Sequence, residues 1–186
     1  DIEPDSFCIS PEAVEDALTA RTRALMPVHL YGHPAAMDRL GVIAEAHGLL
    51  VVEDAAQAHC ASLHGTPVGA FGDAGCFSFY PTKNMTSGEG GMVTTSSADV
   101  ARTVQLLRNQ GMEKRYHNEI VGFNTRMSDI HAAIGRVQLR KLPKWTEQRQ
   151  QNARFRWVRD QRVEEVDQLP FGQWRIGQWQ LRKKVR

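Results

Sequence analysis

The sequence predicts an α/β domain. Strand-like segments alternate with segments of helical period up to Asp54. Leu49 to Asp54 is a continuous apolar run ending in carboxylates, the type found in a parallel sheet covered on both faces. The 186 residues, 41% hydrophobic and 24% charged, suffice for one globular domain with a sizeable core.

The elements follow in order. Ser10-Pro11-Glu12 reads as a helix start, because serine caps and proline is pre-set for the first helical position. Ala13, Val14, Ala17 and Leu18 then share one face. Arg23 to His29 reads as a short buried strand with Leu25, Met26 and Val28 inside. Pro34 opens a helix with Met37, Leu40, Ile43 and Ala44 on its inner face, and Gly48 ends it. Ala74 to Tyr80 and Gly91 to Thr95 read as further strands. Ser96-Ser97-Ala98-Asp99 resembles a capping box and starts a helix to about Asn109. Ser128-Asp129 starts another, with Ile130, Ala133, Ile134 and Val137 expected on its buried side.

The chemistry concentrates around Lys83. An apolar run, Gly75 to Tyr80, delivers this lysine into a loop that Gly88, Gly90 and Gly91 let turn tightly. Asp54 ends the neighbouring apolar run. A lysine and an aspartate at the C-terminal ends of adjacent buried strands suit pyridoxal phosphate chemistry: the amine forms a Schiff base and the carboxylate keeps a proton on the pyridine nitrogen. Alone, Lys83 would read as a solvated loop lysine and Asp54 as a helix cap. Their pairing favours the chemical reading.

Other features exclude alternatives. A net charge of +2 demands neither a nucleic acid nor a membrane partner. No apolar stretch approaches a membrane span. Cys8, Cys60 and Cys76 make an odd count without a CxxC pair, which suits free thiols in a reducing cytoplasm. No metal is expected: His59, Cys60, His64 and Cys76 match no common zinc spacing, and His29 and His33 lack the glutamate of HExxH.

Several words in order carry a resemblance. They are Pro27 to Gly32 (PVHLYG), Glu53 to His59 (EDAAQAH), Gly72 to Phe79 (GDAGCFSF), the Lys83 loop, and Gly122 to Met127 (GFNTRM). Over about Ile2 to Phe155 the chain resembles the DegT/DnrJ/EryC1/StrS family of pyridoxal-phosphate-dependent sugar aminotransferases. The resemblance implies a three-layer type I aminotransferase large domain, here incomplete. It implies that Lys83 holds the cofactor covalently and shuttles a proton, and that Asp54 pairs with the pyridinium nitrogen. Gln57 would lie near the ring hydroxyl and Ser78 would bind the phosphate. Asn124 would reach the phosphate of a neighbouring subunit's cofactor, since family homodimers share their sites. On their own residues, Ser78 also fits a plain strand serine, Asn124 a turn, and Gln57 and His59 partners of backbone groups. Some members carry histidine for the lysine and dehydrate instead, so Lys83 implies amino transfer.

The implied substrates are a nucleotide-linked keto sugar and an amino-acid donor, glutamate, in amino-sugar or polysaccharide biosynthesis. Cys60 departs from the family pattern, where glycine is usual. Family members are longer at both ends, so residues 1–155 read as part of the cofactor-binding large domain. The expected alternative is a truncated, inactive remnant of such an enzyme. Residues 156–186 form an atypical basic tail rich in tryptophan and glutamine. Asp160, Glu164, Glu165 and Asp167 interrupt its basic character, so it is not expected to bind nucleic acid.

Overall fold

A computed structural model describes residues 1–167, with side chains described to residue 155. The atypical tail therefore lies largely outside the described residues. Two compact units are distinguished, Asp1–Lys144 and Trp145–Arg186.

Helix α1 spans Pro11–Ala17, strand β1 Ala24–Leu25, helix α2 Met37–His47 and strand β2 Leu50–Asp54. A hairpin of β3 (Ser62–Leu63) and β4 (Thr66–Pro67) precedes β5 (Ala74–Ser78) and β6 (Gly91–Thr94). Helix α3 (Ala98–Arg108), a second hairpin of β7 (Met112–Lys114) and β8 (His117–Asn118), and helix α4 (Asp129–Asp167) follow. The main sheet runs β1-β2-β5-β6. The first two pairings are parallel and β5–β6 is antiparallel. No helix of the described residues is long and apolar enough to cross a membrane.

The capping signals act as read. Ser10 accepts from the Ala13 amide and Ser97 from the Val100 amide. Gly48 closes α2 in the left-handed conformation, at φ 61°. The first strand is shorter than the apolar run. Pro27 has no N–H for the ladder, so β1 stops at Leu25 and only a bridge from Val28 to Asp54 continues it. Met26 is 66% exposed as a result.

Helix α4 departs furthest from expectation. Ile130, Ile134 and Val137 are exposed, as is Ala133. Gly135 and Leu142 are its buried positions, and Leu142 packs with Phe79 and Met85. The apolar stripe read from the sequence is real, but it faces away from the core. The main cluster lies elsewhere, where α1 and α2 place Val14, Met37, Leu40 and Ile43 against Leu25 and Val51.

One buried polar centre fixes the middle of the sheet. Glu53 and His29 are both fully buried. The Ala35 amide donates to His29 Nδ1 (3.0 Å), so the ring carries its proton on Nε2 and donates it to Glu53 Oε2 (3.1 Å). Glu53 also accepts from the amides of Gly69 (2.7 Å), Phe71 (2.8 Å) and Gly72 (2.9 Å). Burial, the largest single influence, raises the pKa of Glu53, but the bonds from His29, Gly69, Gly72 and Phe71 together reverse that and hold it below the usual carboxylate value. The loop before β5 is thereby tied to β2. It passes so close that a side-chain carbon on Gly75 would strike the backbone of Gly69.

A glutamine at position 53 keeps the shape but has only one acceptor oxygen. Its amide nitrogen must face either the His29 Nε2–H or the amides of Phe71 and Gly72, donor against donor. Glu53→Gln is expected to lose about 3 kcal/mol of unfolding free energy. The midpoint of urea unfolding reads this directly, and an unchanged midpoint would refute the assignment.

Candidate active site

Parallel pairing sets β2 and β5 side by side, with Asp54 opposite Cys76 in register. Both strands therefore end on the same edge, the usual place for ligands in such a sheet. A cavity of ≈ 240 Å³ lies there, lined by Met26, Asp54, Cys76, Phe77 and Ser78 among others.

Asp54 is half-buried and held at both levels. Its backbone bonds Pro27 and His29 across the bridge, and its Oδ1 accepts from the Ala56 amide (3.0 Å). Oδ2 has no hydrogen bond among the described residues. The carboxylate's field reaches its neighbour: burial pushes the Cys76 thiol up, and the Asp54 charge adds to the effect. Ser78 ends β5 and accepts from the Tyr80 amide (3.3 Å). Asp54 and Ser78 thus share one cavity wall, as the sequence led one to expect.

The Lys83 turn continues from Ser78. The Lys83 amide donates to the Tyr80 carbonyl (3.0 Å). The Ser87 amide donates to the Phe79 carbonyl (3.0 Å), and Phe79 donates to Gly90 (2.9 Å). Ser87 is fully buried and donates to the Glu89 carbonyl (2.7 Å). The turn is therefore a braced structure, and Lys83 is half-buried within it. Its side chain makes no hydrogen bond or ion pair among the described residues, which leaves the amine available.

His59, left open by the sequence, is 6% exposed and packs against Phe77 and Phe79 with ring centroids 5.5 and 5.9 Å away. Its Nδ1 lies 2.7 Å from Asn84 Oδ1. Burial lowers its pKa first of all; Asn84 and the Ser78 backbone oppose this, and the nearby Lys83 charge reinforces it. Lys83 is thereby tied electrostatically to a ring resting on the cavity wall.

Three expected residues, Lys83, Gln57 and Asn124, stand outside the cavity lining. Gln57 is exposed, and its Oε1 accepts from the Tyr31 amide (2.8 Å), bracing Tyr31 at a left-handed φ of 55°. Asn124 is exposed and bridges Asn109 at the end of α3. Neighbouring bonds strap the same segment down, Gln110 to Phe123 (2.7 Å) and Thr125 to Arg108 (3.0 Å). Sequence reasoning missed Glu53, His29 and Asn84. A glutamate inside an apolar run was the signal for the first, since such a group is buried only with partners.

The sequence pattern of the DegT/DnrJ/EryC1/StrS aminotransferase family matches residues 1–169. The chain is 46% identical over 151 residues to the dTDP-3-amino-3,4,6-trideoxy-alpha-D-glucose transaminase of Streptomyces venezuelae, covering 80% of this chain and 40% of that one. A solved DegT DnrJ EryC1 StrS aminotransferase from Brucella abortus superposes with a TM-score of 0.81 at 33% identity, over 92% of this chain and 48% of that one. The E. coli GDP-4-keto-6-deoxy-D-mannose-3-dehydratase, solved with bound hydrated PLP, gives a TM-score of 0.79 at 25% identity, over 83% and 45%. The chain spans about two fifths of the length of the curated relatives it matches.

Cys60 stands at φ 63°, in the left-handed region. This explains why glycine suits the position after the histidine. An L side chain there costs about 1–2 kcal/mol. Glycine removes that strain but adds freedom to the unfolded chain, worth roughly 0.4–1 kcal/mol. Cys60→Gly is expected to gain about 0.5 kcal/mol net, seen as a higher urea midpoint, whereas Cys60→Val should lose stability.

Proposed function

The chain belongs to the DegT/DnrJ/EryC1/StrS aminotransferase family, and from that premise we propose that it forms the lysine-bearing wall of a pyridoxal-phosphate site for aminating a nucleotide-linked keto sugar. The observation that carries this reading is the shared cavity: the Asp54 carboxylate and the Ser78 hydroxyl line it, and a braced turn beyond Ser78 presents a lysine with an uncommitted amine. A carboxylate for a ring nitrogen and a hydroxyl for a phosphate fit the cofactor's two polar ends. The bound form of the E. coli relative supports the choice of cofactor.

When bound, pyridoxal phosphate supplies an aldehyde that takes up amines and a ring that absorbs carbanion charge. Lys83 would hold the cofactor through that aldehyde, and its free amine would hold and move the proton at the reacting carbon. Asp54 keeps the ring nitrogen protonated from the end of β2. Ser78 donates to the phosphate. Gln57 commits its oxygen to Tyr31, so its amide nitrogen is the group left for the ring hydroxyl. Asn124, exposed beyond α3, serves a neighbouring subunit's phosphate in a homodimer. The donor is an amino acid, glutamate in our reading, and the enzyme works in the cytoplasm, where Cys8, Cys60 and Cys76 stay unpaired. Lysine at position 83 favours amino transfer over dehydration.

Pyridoxal phosphate is added to the purified chain, borohydride follows, and the reduced protein is digested and mapped. The pyridoxyl group is expected on Lys83. Its arrival on another lysine overturns the proposal, and Lys83→Ala should lose both the visible absorption band and all transamination.

Asp54→Asn separates binding from turnover. An amide cannot favour a charged ring nitrogen as a carboxylate does. Loss of one buried charge partner costs about 3–5 kcal/mol, so turnover should fall roughly a hundred- to several-thousand-fold. Retained cofactor absorbance with that loss is the expected result; near-normal steady-state rates would remove Asp54 from the mechanism.

A further inference from the structure

Asn84, next to Lys83 in the chain, is joined to His59 by two bonds. Asn84 Nδ2 donates to the His59 carbonyl (3.3 Å), and His59 Nδ1 meets Asn84 Oδ1 (2.7 Å). The first bond fixes which end of the carboxamide is the donor. Oδ1 is therefore the acceptor, and the His59 proton sits on Nδ1. The other ring nitrogen, Nε2, is buried without a hydrogen-bond partner. Phe77 and Phe79, at the end of β5, contact the same ring and limit its movement.

We propose that His59 is a positioning residue: through Nδ1 it anchors Asn84 and so sets the turn that presents Lys83 beside the cavity. The anchor begins in the loop after β2, which carries Asp54, and ends in the turn after β5, which carries Lys83. It spans the two strands at the point where the two reactive groups must keep a fixed separation. Position matters steeply there, because misplacement of a reacting group by about 1 Å costs roughly a hundredfold in rate. The importance of that separation rests on the functional reading above; the anchor itself does not.

The test exploits amide geometry. An asparagine side chain places its nitrogen near the position of histidine Nδ1, and a glutamine places its nitrogen near Nε2. His59→Asn therefore keeps a donor facing Asn84, and His59→Gln moves it away. Hydrogen exchange is followed on the full chain without cofactor. In His59→Gln and His59→Ala, the Lys83 and Ser87 amides should exchange roughly tenfold faster, the worth of one lost bond. The Ala55 amide, which bonds Cys76 within the sheet, should not change. His59→Asn should return the turn to near its original protection. With pyridoxal phosphate added, the visible band should form about tenfold more slowly in His59→Gln than in His59→Asn. Equal exchange in all three variants, or equal acceleration of Ala55 and Lys83, overturns the proposal. Exchange is read without cofactor, so it is decided separately from the borohydride mapping.

Discussion

Glu53 organises the part of the molecule on which the site depends. Its carboxylate takes four hydrogen bonds, one from His29 and three from the amides of Gly69, Phe71 and Gly72. A buried charge is tolerable only when such bonds replace its water. Here they also do topological work. His29 comes from the segment after β1, the three amides come from the loop before β5, and Glu53 itself stands on β2. One side chain thus fixes the order and depth of three neighbouring segments. Asp54, the next residue, points to the other side of the strand and inherits that rigidity. The Asp54 carboxylate thus stands beside a braced one.

The site divides its labour between two strands. β2 contributes a carboxylate and β5 a hydroxyl, and parallel pairing brings them to one edge. The amine is not on a strand. It sits in a turn that backbone bonds brace and His59 anchors. Strands thus carry Asp54 and Ser78, and a connection carries Lys83. Burial acts on both Glu53 and His59 but with opposite sign: it raises the carboxylate's pKa, which the donors then reverse, and it lowers the imidazole's.

Much of this was legible in the sequence because local chemistry and fold agree. Ser10, Ser97 and Gly48 mark helix ends by side-chain or backbone geometry that needs no tertiary information. Asp54 and Lys83 stood out because each ends or follows an apolar run, whereas Ser78 rested on the family resemblance. The rest depended on contacts between distant segments. Nothing local to Glu53 says that three amides from residues 69–72 will meet it. The apolar stripe of α4 was correctly seen and wrongly assigned, since period gives a face but not what that face meets. The two small hairpins escaped for a similar reason: their strands are short, and pairing rather than pattern defines them.

The Lys83 turn begins and ends at a register pair, with Ser78 opposite Gly91. Residues 79–90 are therefore an excursion from a hairpin whose stem is already closed. Insertions at its tip leave the stem's register, and every side chain on the sheet, where they were. The length of the turn and the register of the stem are thus separately variable.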